Sequence, residues 1–167
     1  MLKAIDGDLD AFHTWMTNGG IATMRSYGVD TKRLRGLELE DFRQRMADGI
    51  PASHVAFLRG AADSIRFGDY LLVHAGIVPG RPIEEQRARD LRWIRGTFLA
   101  SEADHGFVVV HGHSQEAQIE VKPNRIGIDT GAYHSGVLTA AWFEDGERGF
   151  LQTAGPRADI AAEMSFE

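Results

Sequence analysis

The chain has 167 residues, 43% of them hydrophobic and 25% charged, with a net charge of −6. Such a balance fits one globular domain over residues 1–167 and excludes broad electrostatic attraction to nucleic acid or to anionic lipid. With no cysteine, disulfides and thiolate metal sites are also excluded.

The start, MLKAIDGDLD, places acidic residues where a secretory signal needs an apolar block, and no run approaches the ~18 apolar residues of a membrane span. The expectation is a cytoplasmic protein with no membrane or nucleic-acid partner. Ile5, Leu9, Phe12 and Met16 fall at helical spacing, which predicts a helix over 3–16 that ends at Asn18-Gly19-Gly20. From Leu39, Phe42 and Met46 mark another, with Gly49 at its end and Pro51 opening the helix PASHVAFLRGA. Then the period changes. SIRF and YLLVHAGI are short β-rich runs split by Gly68-Asp69, the signature of a hairpin. The run PIEEQRARD reads as a solvated helix face, with Glu84 and Glu85 spaced to pair with Arg87 and Arg89. Strand-like runs follow at FVVVHG, QIEV, RIGID and GVLTAAWF, and Asp145-Gly146 turns the last of them into GFLQT. Beyond Gly155-Pro156 the tail is polar and rich in alanine, expected as a short helix or a disordered end.

Two of the seven histidines share a setting. His74 closes YLLV and His113 lies just beyond FVVV, at the carboxyl ends of strands where α/β sheets place their ligands. Neutral imidazole is the commonest transition-metal ligand, and Gly76 and Gly112 leave the backbone free to fold tightly there. For either histidine taken singly, a hydrogen-bonded residue at a strand terminus explains the position as well. In a continuous strand His111 and His113 would face the same side, but the glycine between them makes continuity doubtful.

In combination the motifs say more. YLLVHAGIVPG at 70–80, DLRWIRGTFL at 90–99, VVVHGHS at 108–114 and IGIDTGAYHSGVLTAAWF at 126–143 stand in the order and spacing of the calcineurin-like metallophosphoesterases. The chain resembles in particular their bacterial serine/threonine phosphoprotein phosphatase branch, which TWMTNGGIATMRSYGVD at 14–30 also matches. The resemblance spans residues 1–153 and implies an α/β fold, the C-terminal part of the metallophosphoesterase β-sandwich, with mixed and antiparallel strands flanked by helices. It implies two divalent metal ions, manganese first with iron or zinc as alternatives, and a phosphoprotein or small phosphoester substrate.

Residue by residue, the resemblance makes His74 and His113 ligands of one ion, with His111 a neighbour of the site. Arg95 becomes the clamp on the substrate phosphate, for which its planar fork of donors is suited, the plainer alternative being a solvated charge on a helix face. Arg92 matches no motif position and reads as surface. Asp129 is expected to order its own turn, with orientation of a ligand as the alternative, Tyr133 and His134 to lie on a loop near the site, and Trp93 to anchor the core beside Arg95. His13, His54 and His105 have no constellation around them.

The family's Asp-x-His-Gly, Gly-Asp-x-x-Asp-Arg-Gly and Gly-Asn-His-Glu motifs, which supply most of its metal ligands, do not occur in these 167 residues. The chain thus resembles the later part of such an enzyme. It is expected to be inactive alone, holding at most one weak metal site, and to self-associate through an exposed strand edge or apolar face. A symmetrical dinucleoside tetraphosphate hydrolase, which shares the HAGI and IDTGA types of motif, is the alternative within the same chemistry. A non-catalytic binding module is the alternative outside it.

Overall fold

The computed structural model describes residues 1–31 and 39–155, with backbone alone over 39–43. The expected terminal helix or disorder after Gly155-Pro156 therefore lies outside the described residues. Two compact units are distinguished, Met1–Ala61 and Ala62–Glu167. No described helix is long and apolar enough to cross a membrane.

The first unit is helical: α1 (Leu2–Ile5), α2 (Leu9–Trp15), α3 (Ile21–Ser26), α4 (Leu39–Gly49) and α5 (Ala52–Arg59). Where the apolar spacing predicts one helix over 3–16, the chain breaks at Asp6-Gly7. Asp8 starts α2 as its N-cap, accepting the Ala11 N–H at 2.9 Å. The break shifts the helical register, so Ile5, Phe12 and Met16 pack on the unit's core while Leu9 is left exposed. Met24 and Met46 are fully buried at the centre of that core, with Trp15 and Val29 around them. Asn18 and Gly19 leave helical geometry as expected, and the helix resumes at once as α3. Pro51 stands at the entrance of α5.

The second unit holds the strands. β1 (Ser64–Phe67), β2 (Tyr70–Val73), β3 (Val108–His111), β4 (Glu120–Val121) and β5 (Arg125–Gly127) form a mixed sheet in the order β1-β2-β3-β5-β4. β1 and β2 are the hairpin predicted at Gly68-Asp69, β2, β3 and β5 run parallel, and β4 returns antiparallel to β5. β6 (Thr139–Glu144) and β7 (Glu147–Gln152) make a separate antiparallel pair. Asp145 and Gly146 both adopt positive φ in its turn, the conformation that a two-residue hairpin of this kind requires.

Alternation along the strands gives the mixed sheet two faces. Leu71, Val109 and Arg125 are register partners on one of them. Against Leu71 and Val109 pack Ile77 and the two short helices of the crossover, α6 (Ala88–Trp93) with Leu91 and α7 (Gly96–Leu99) with Phe98. Leu72, Val110 and Ile126 point to the opposite face. There the β6–β7 pair approaches, the Phe143 ring lying 4.1 Å from that of Tyr70. The result is an α/β fold with a mixed sheet and an antiparallel pair flanked by helices, the class the motifs imply.

The run PIEEQRARD departs from expectation. Ile83–Glu85 form one tight turn, Gln86 and Arg87 are extended, and α6 begins only at Ala88. Gln86 explains the break. Its side chain accepts the Val78 N–H and donates to the Val78 and Arg81 carbonyls, each at 2.9 Å, and so ties the loop together. Glu84 and Glu85 consequently share no helix face with Arg87 and Arg89.

Candidate metal and phosphate site

His74 follows β2 directly and His113 lies two residues beyond the end of β3. Because β2 and β3 are adjacent and parallel, both residues leave the sheet at the same end. The ladder continues one step past the strands, with the Gly112 N–H donating to the His74 carbonyl at 2.9 Å. The imidazole rings consequently converge, their centroids 5.0 Å apart and their planes inclined by 56°.

The glycine in His111-Gly112-His113 does break the strand. His113 takes φ +64, rare for a residue with a side chain, and the Ser114 N–H closes a three-residue turn on the Gly112 carbonyl at 2.7 Å. Strained backbone of this kind is concentrated at functional sites. It also sends the two histidines to different places: His111 continues the strand and faces the α6–α7 side, while His113 turns out to meet His74.

Trp93 is 52% exposed, so it is not the core anchor expected from sequence. Its ring instead stands edge-on to that of His113, 5.5 Å away at 85°. Burial holds the His113 pKa below the ordinary histidine value, and the neighbouring Arg95 and His74 side chains push in the same direction. Asp129 and the Trp93 carbonyl oppose this without reversing it. The imidazole is therefore neutral at pH 7, and its buried Nε2 has no hydrogen-bond partner. A lone pair beside a second imidazole is the donor chemistry a transition-metal ion needs. Among the described residues no third histidine, aspartate or glutamate closes the pair into a three-ligand cluster.

Arg95 sits in the break between α6 and α7, with non-helical backbone and an exposed side chain. It is not a charge on a helix face, and it is close enough for its charge to act on His113. Arg92, read as surface, pairs with Asp63 at 2.5 Å while half exposed.

Asp129 accepts the Gly131 N–H at 3.0 Å through Oδ1, the turn-ordering role anticipated for it. Just beyond it, Thr130 and Thr139 are buried with their hydroxyls 2.8 Å apart, and Thr130 donates to the Val137 carbonyl at 2.7 Å. Tyr133 and His134 belong to a one-turn helix, α8 (Ala132–Ser135), with Tyr133 exposed. Of the remaining histidines, His54 meets the Tyr27 hydroxyl at 2.8 Å, His13 packs edge-on to Phe12, and His105 packs near Phe107.

His74 and His113 stand at the end of a cleft of about 670 Å³ between the mixed sheet and the β6–β7 pair. Phe67, Leu72, Leu138 and Phe143 give it apolar walls, and Asp129 and Thr130 add polar groups.

One solved structure resembling the chain is described as "Crystal structure of a putative diadenosine tetraphosphatase". It matches with a TM-score of 0.56 and 24% identity over 68% of this chain. The chain spans 60% of that protein's length. No family model and no curated protein matches the chain. The likeness is one of fold, and it agrees with the metallophosphoesterase-like architecture that the motifs imply.

Proposed function

We propose that this chain provides part of the centre of a metal-dependent phosphoester hydrolase of the serine/threonine phosphoprotein phosphatase branch, acting in the cytoplasm. The observation behind this reading is the convergence of His74 and His113 from the ends of adjacent parallel strands. Manganese is the first candidate ion, with iron or zinc as alternatives, since imidazole accepts all three. His74 and His113 would hold one ion through ring nitrogens, His113 with no proton to displace from Nε2. A divalent ion bound there supplies Lewis acidity toward a phosphoryl oxygen and a lowered pKa for water. Arg95, exposed and close to His113, would bind two phosphate oxygens with its planar guanidinium. Trp93 packs against one edge of His113 and fixes its ring.

Hydrolysis of a phosphomonoester needs a very large rate enhancement, and two imidazoles with one arginine leave most of the centre's donors to be supplied from elsewhere. The 167 residues alone should leave 4-nitrophenyl phosphate with manganese unhydrolysed. The same chain joined to a segment bearing the family's three other motifs should turn it over, and Arg95→Ala in that enzyme should lower kcat/KM about a hundredfold. Robust turnover by the 167 residues that survives His74→Ala would refute the assignment, as would a folded, metal-loaded joined enzyme with no activity.

The structural neighbour's printed name favours a second reading, hydrolysis of a dinucleoside tetraphosphate. Preference of the joined enzyme for phosphopeptide or for dinucleotide decides between the two. Among the described residues strand β1 pairs only with β2, and it shows Ile65 and Phe67 on its surface, the edge through which self-association is proposed.

A further inference from the structure

His111 is 3% exposed and its side chain points away from the His74–His113 pair, to the sheet face that carries α6 and α7. Its Nδ1 lies 3.1 Å from the Gly112 carbonyl. A carbonyl only accepts, so Nδ1 holds the proton and Nε2 is a bare acceptor. That acceptor has no partner, although the ring is buried. A Cβ built on Gly127 would lie 3.5 Å from Nε2, which places this nitrogen over the β5 glycine. There it faces a cavity of about 190 Å³ floored by β4 and β5, which shares His111 and Asp129 with the cleft between the sheets.

Both basic side chains around the cavity already pair with Glu120. Arg125, 2% exposed, donates from Nε to Glu120 at 2.9 Å and from a terminal nitrogen to the Ser101 carbonyl at 3.3 Å. Lys122 pairs with the same glutamate at 3.1 Å. What remains open is the accepting side. Glu116 forms no ion pair among the described residues, Asp129 commits Oδ1 to Gly131, and the Ser114 hydroxyl, 9% exposed as a residue, has no partner. Three carboxylates face two cations, so the cavity is net negative as well as rich in acceptors.

We propose that this cavity binds a small primary ammonium group, its N–H donors shared among His111 Nε2, the Ser114 hydroxyl and the Glu116 carboxylate. Size sets the limit on the ligand: 190 Å³ is the room of roughly six waters, which admits an alkylammonium head and little beyond it. A buried imidazole acceptor, a hydroxyl and an unpaired carboxylate around one space satisfy a tetrahedral donor better than they satisfy an anion. The site is independent of the hydrolase reading, since neither His74 nor Arg95 contributes to it.

The test uses the 167-residue chain labelled with ¹⁵N at histidine. Methylammonium chloride is titrated at constant ionic strength, with tetramethylammonium chloride as a cation of equal charge that has no N–H to donate. A saturable shift of the His111 Nε2 resonance with methylammonium only is expected, retained in His74→Ala. Glu116→Gln, at an exposed position, should weaken it at least about threefold, on the scale of one charged hydrogen bond in a partly open site. Gly127→Ala adds a methyl at ordinary contact distance from the ring and should abolish it. If that variant does not fold, Glu116→Gln decides the matter alone. No saturable shift, meaning a cavity filled by water only, overturns the proposal. So does an equal response to tetramethylammonium, or full binding in Glu116→Gln.

Discussion

Gly76→Ala tests how the loop after His74 is seated on the core. Gly76 adopts φ +146, outside the range of ordinary side-chain-bearing residues. A Cβ there would stand 2.7 Å from Cγ and Cε1 of Phe98 and closer still to Cδ1. Phe98 is 1% exposed and held by Leu71, Leu91 and Val109, so it has little room to yield. Backbone strain of about 1–3 kcal/mol and overpacking of about 1–3 kcal/mol give an expected loss of about 2–6 kcal/mol. Phe98→Leu alone should cost about 1–2 kcal/mol, through lost volume and the lost edge contact to the His111 ring, 5.0 Å away. In the double variant the overlap is relieved but the strain is not, so the two losses should fall short of additivity by at least about 1 kcal/mol. Urea unfolding followed by tryptophan fluorescence in a Trp15→Phe background reads this, because Trp93 and Trp142 then report on the second unit alone. Additivity within about 0.3 kcal/mol would refute the steric argument. A Gly76→Ala loss under about 0.5 kcal/mol would refute the strain as well.

Two further outcomes follow from the buried polar groups. Burial raises the Glu120 pKa, but hydrogen bonds and charge from Lys122 and Arg125 more than offset it, so the folded value lies below the ordinary 4.5. The ion pairs then stabilise the fold fully above 4.5, and that contribution is lost as pH falls through the folded value. Glu120→Gln should therefore cost about 1–2 kcal/mol at pH 7, where it leaves the buried Arg125 short of its counter-ion, and progressively less below pH 4.5. Urea midpoints of both proteins between pH 7 and 3 check this, and a difference independent of pH contradicts it. Thr130→Val removes the donor to the Val137 carbonyl and a partner of Thr139 in a buried setting. A loss of about 1–3 kcal/mol is expected in the same assay, and a neutral effect would mean that water replaces the hydroxyl.

Much of the second unit could be read in the sequence because its signals are local. SIRF, YLLV and FVVVH name their strands, and Gly68-Asp69 and Asp145-Gly146 name their turns, since each depends on a few adjacent residues. Where the outcome depends on a side chain reaching across the chain, pattern fails. Nothing in PIEEQRARD shows that Gln86 will bind Val78 and Arg81 and hold the backbone extended, and helical charge spacing is misleading there. Leu9 shows the same limit in the first unit, where one capping aspartate resets the register of the apolar stripe. The positions of His74, His113 and Arg95 were legible as motifs, but not Trp93 against His113, which needs the crossover helices folded back onto the sheet.

The buried polar cluster shows what sequence reading missed and where the signal lay. Arg125 and His111 both sit in runs that read as core strand, and an ionisable residue in such a run must find partners or remain a cost to folding. Arg125 finds them in Glu120 and the Ser101 carbonyl. His111 finds one for Nδ1 and none for Nε2. The residue after it decides the contrast with His113: a glycine ends the strand, the turn that follows reverses the next side chain, and two histidines only one residue apart serve opposite faces of the sheet. One side brings the His74 and His113 rings together, and the other leaves an imidazole lone pair in a net-negative cavity. A substitution that extends β3 through Gly112 would return His113 to the His111 side and dissolve the pair, which is why the break in the strand, more than either histidine, defines the candidate centre.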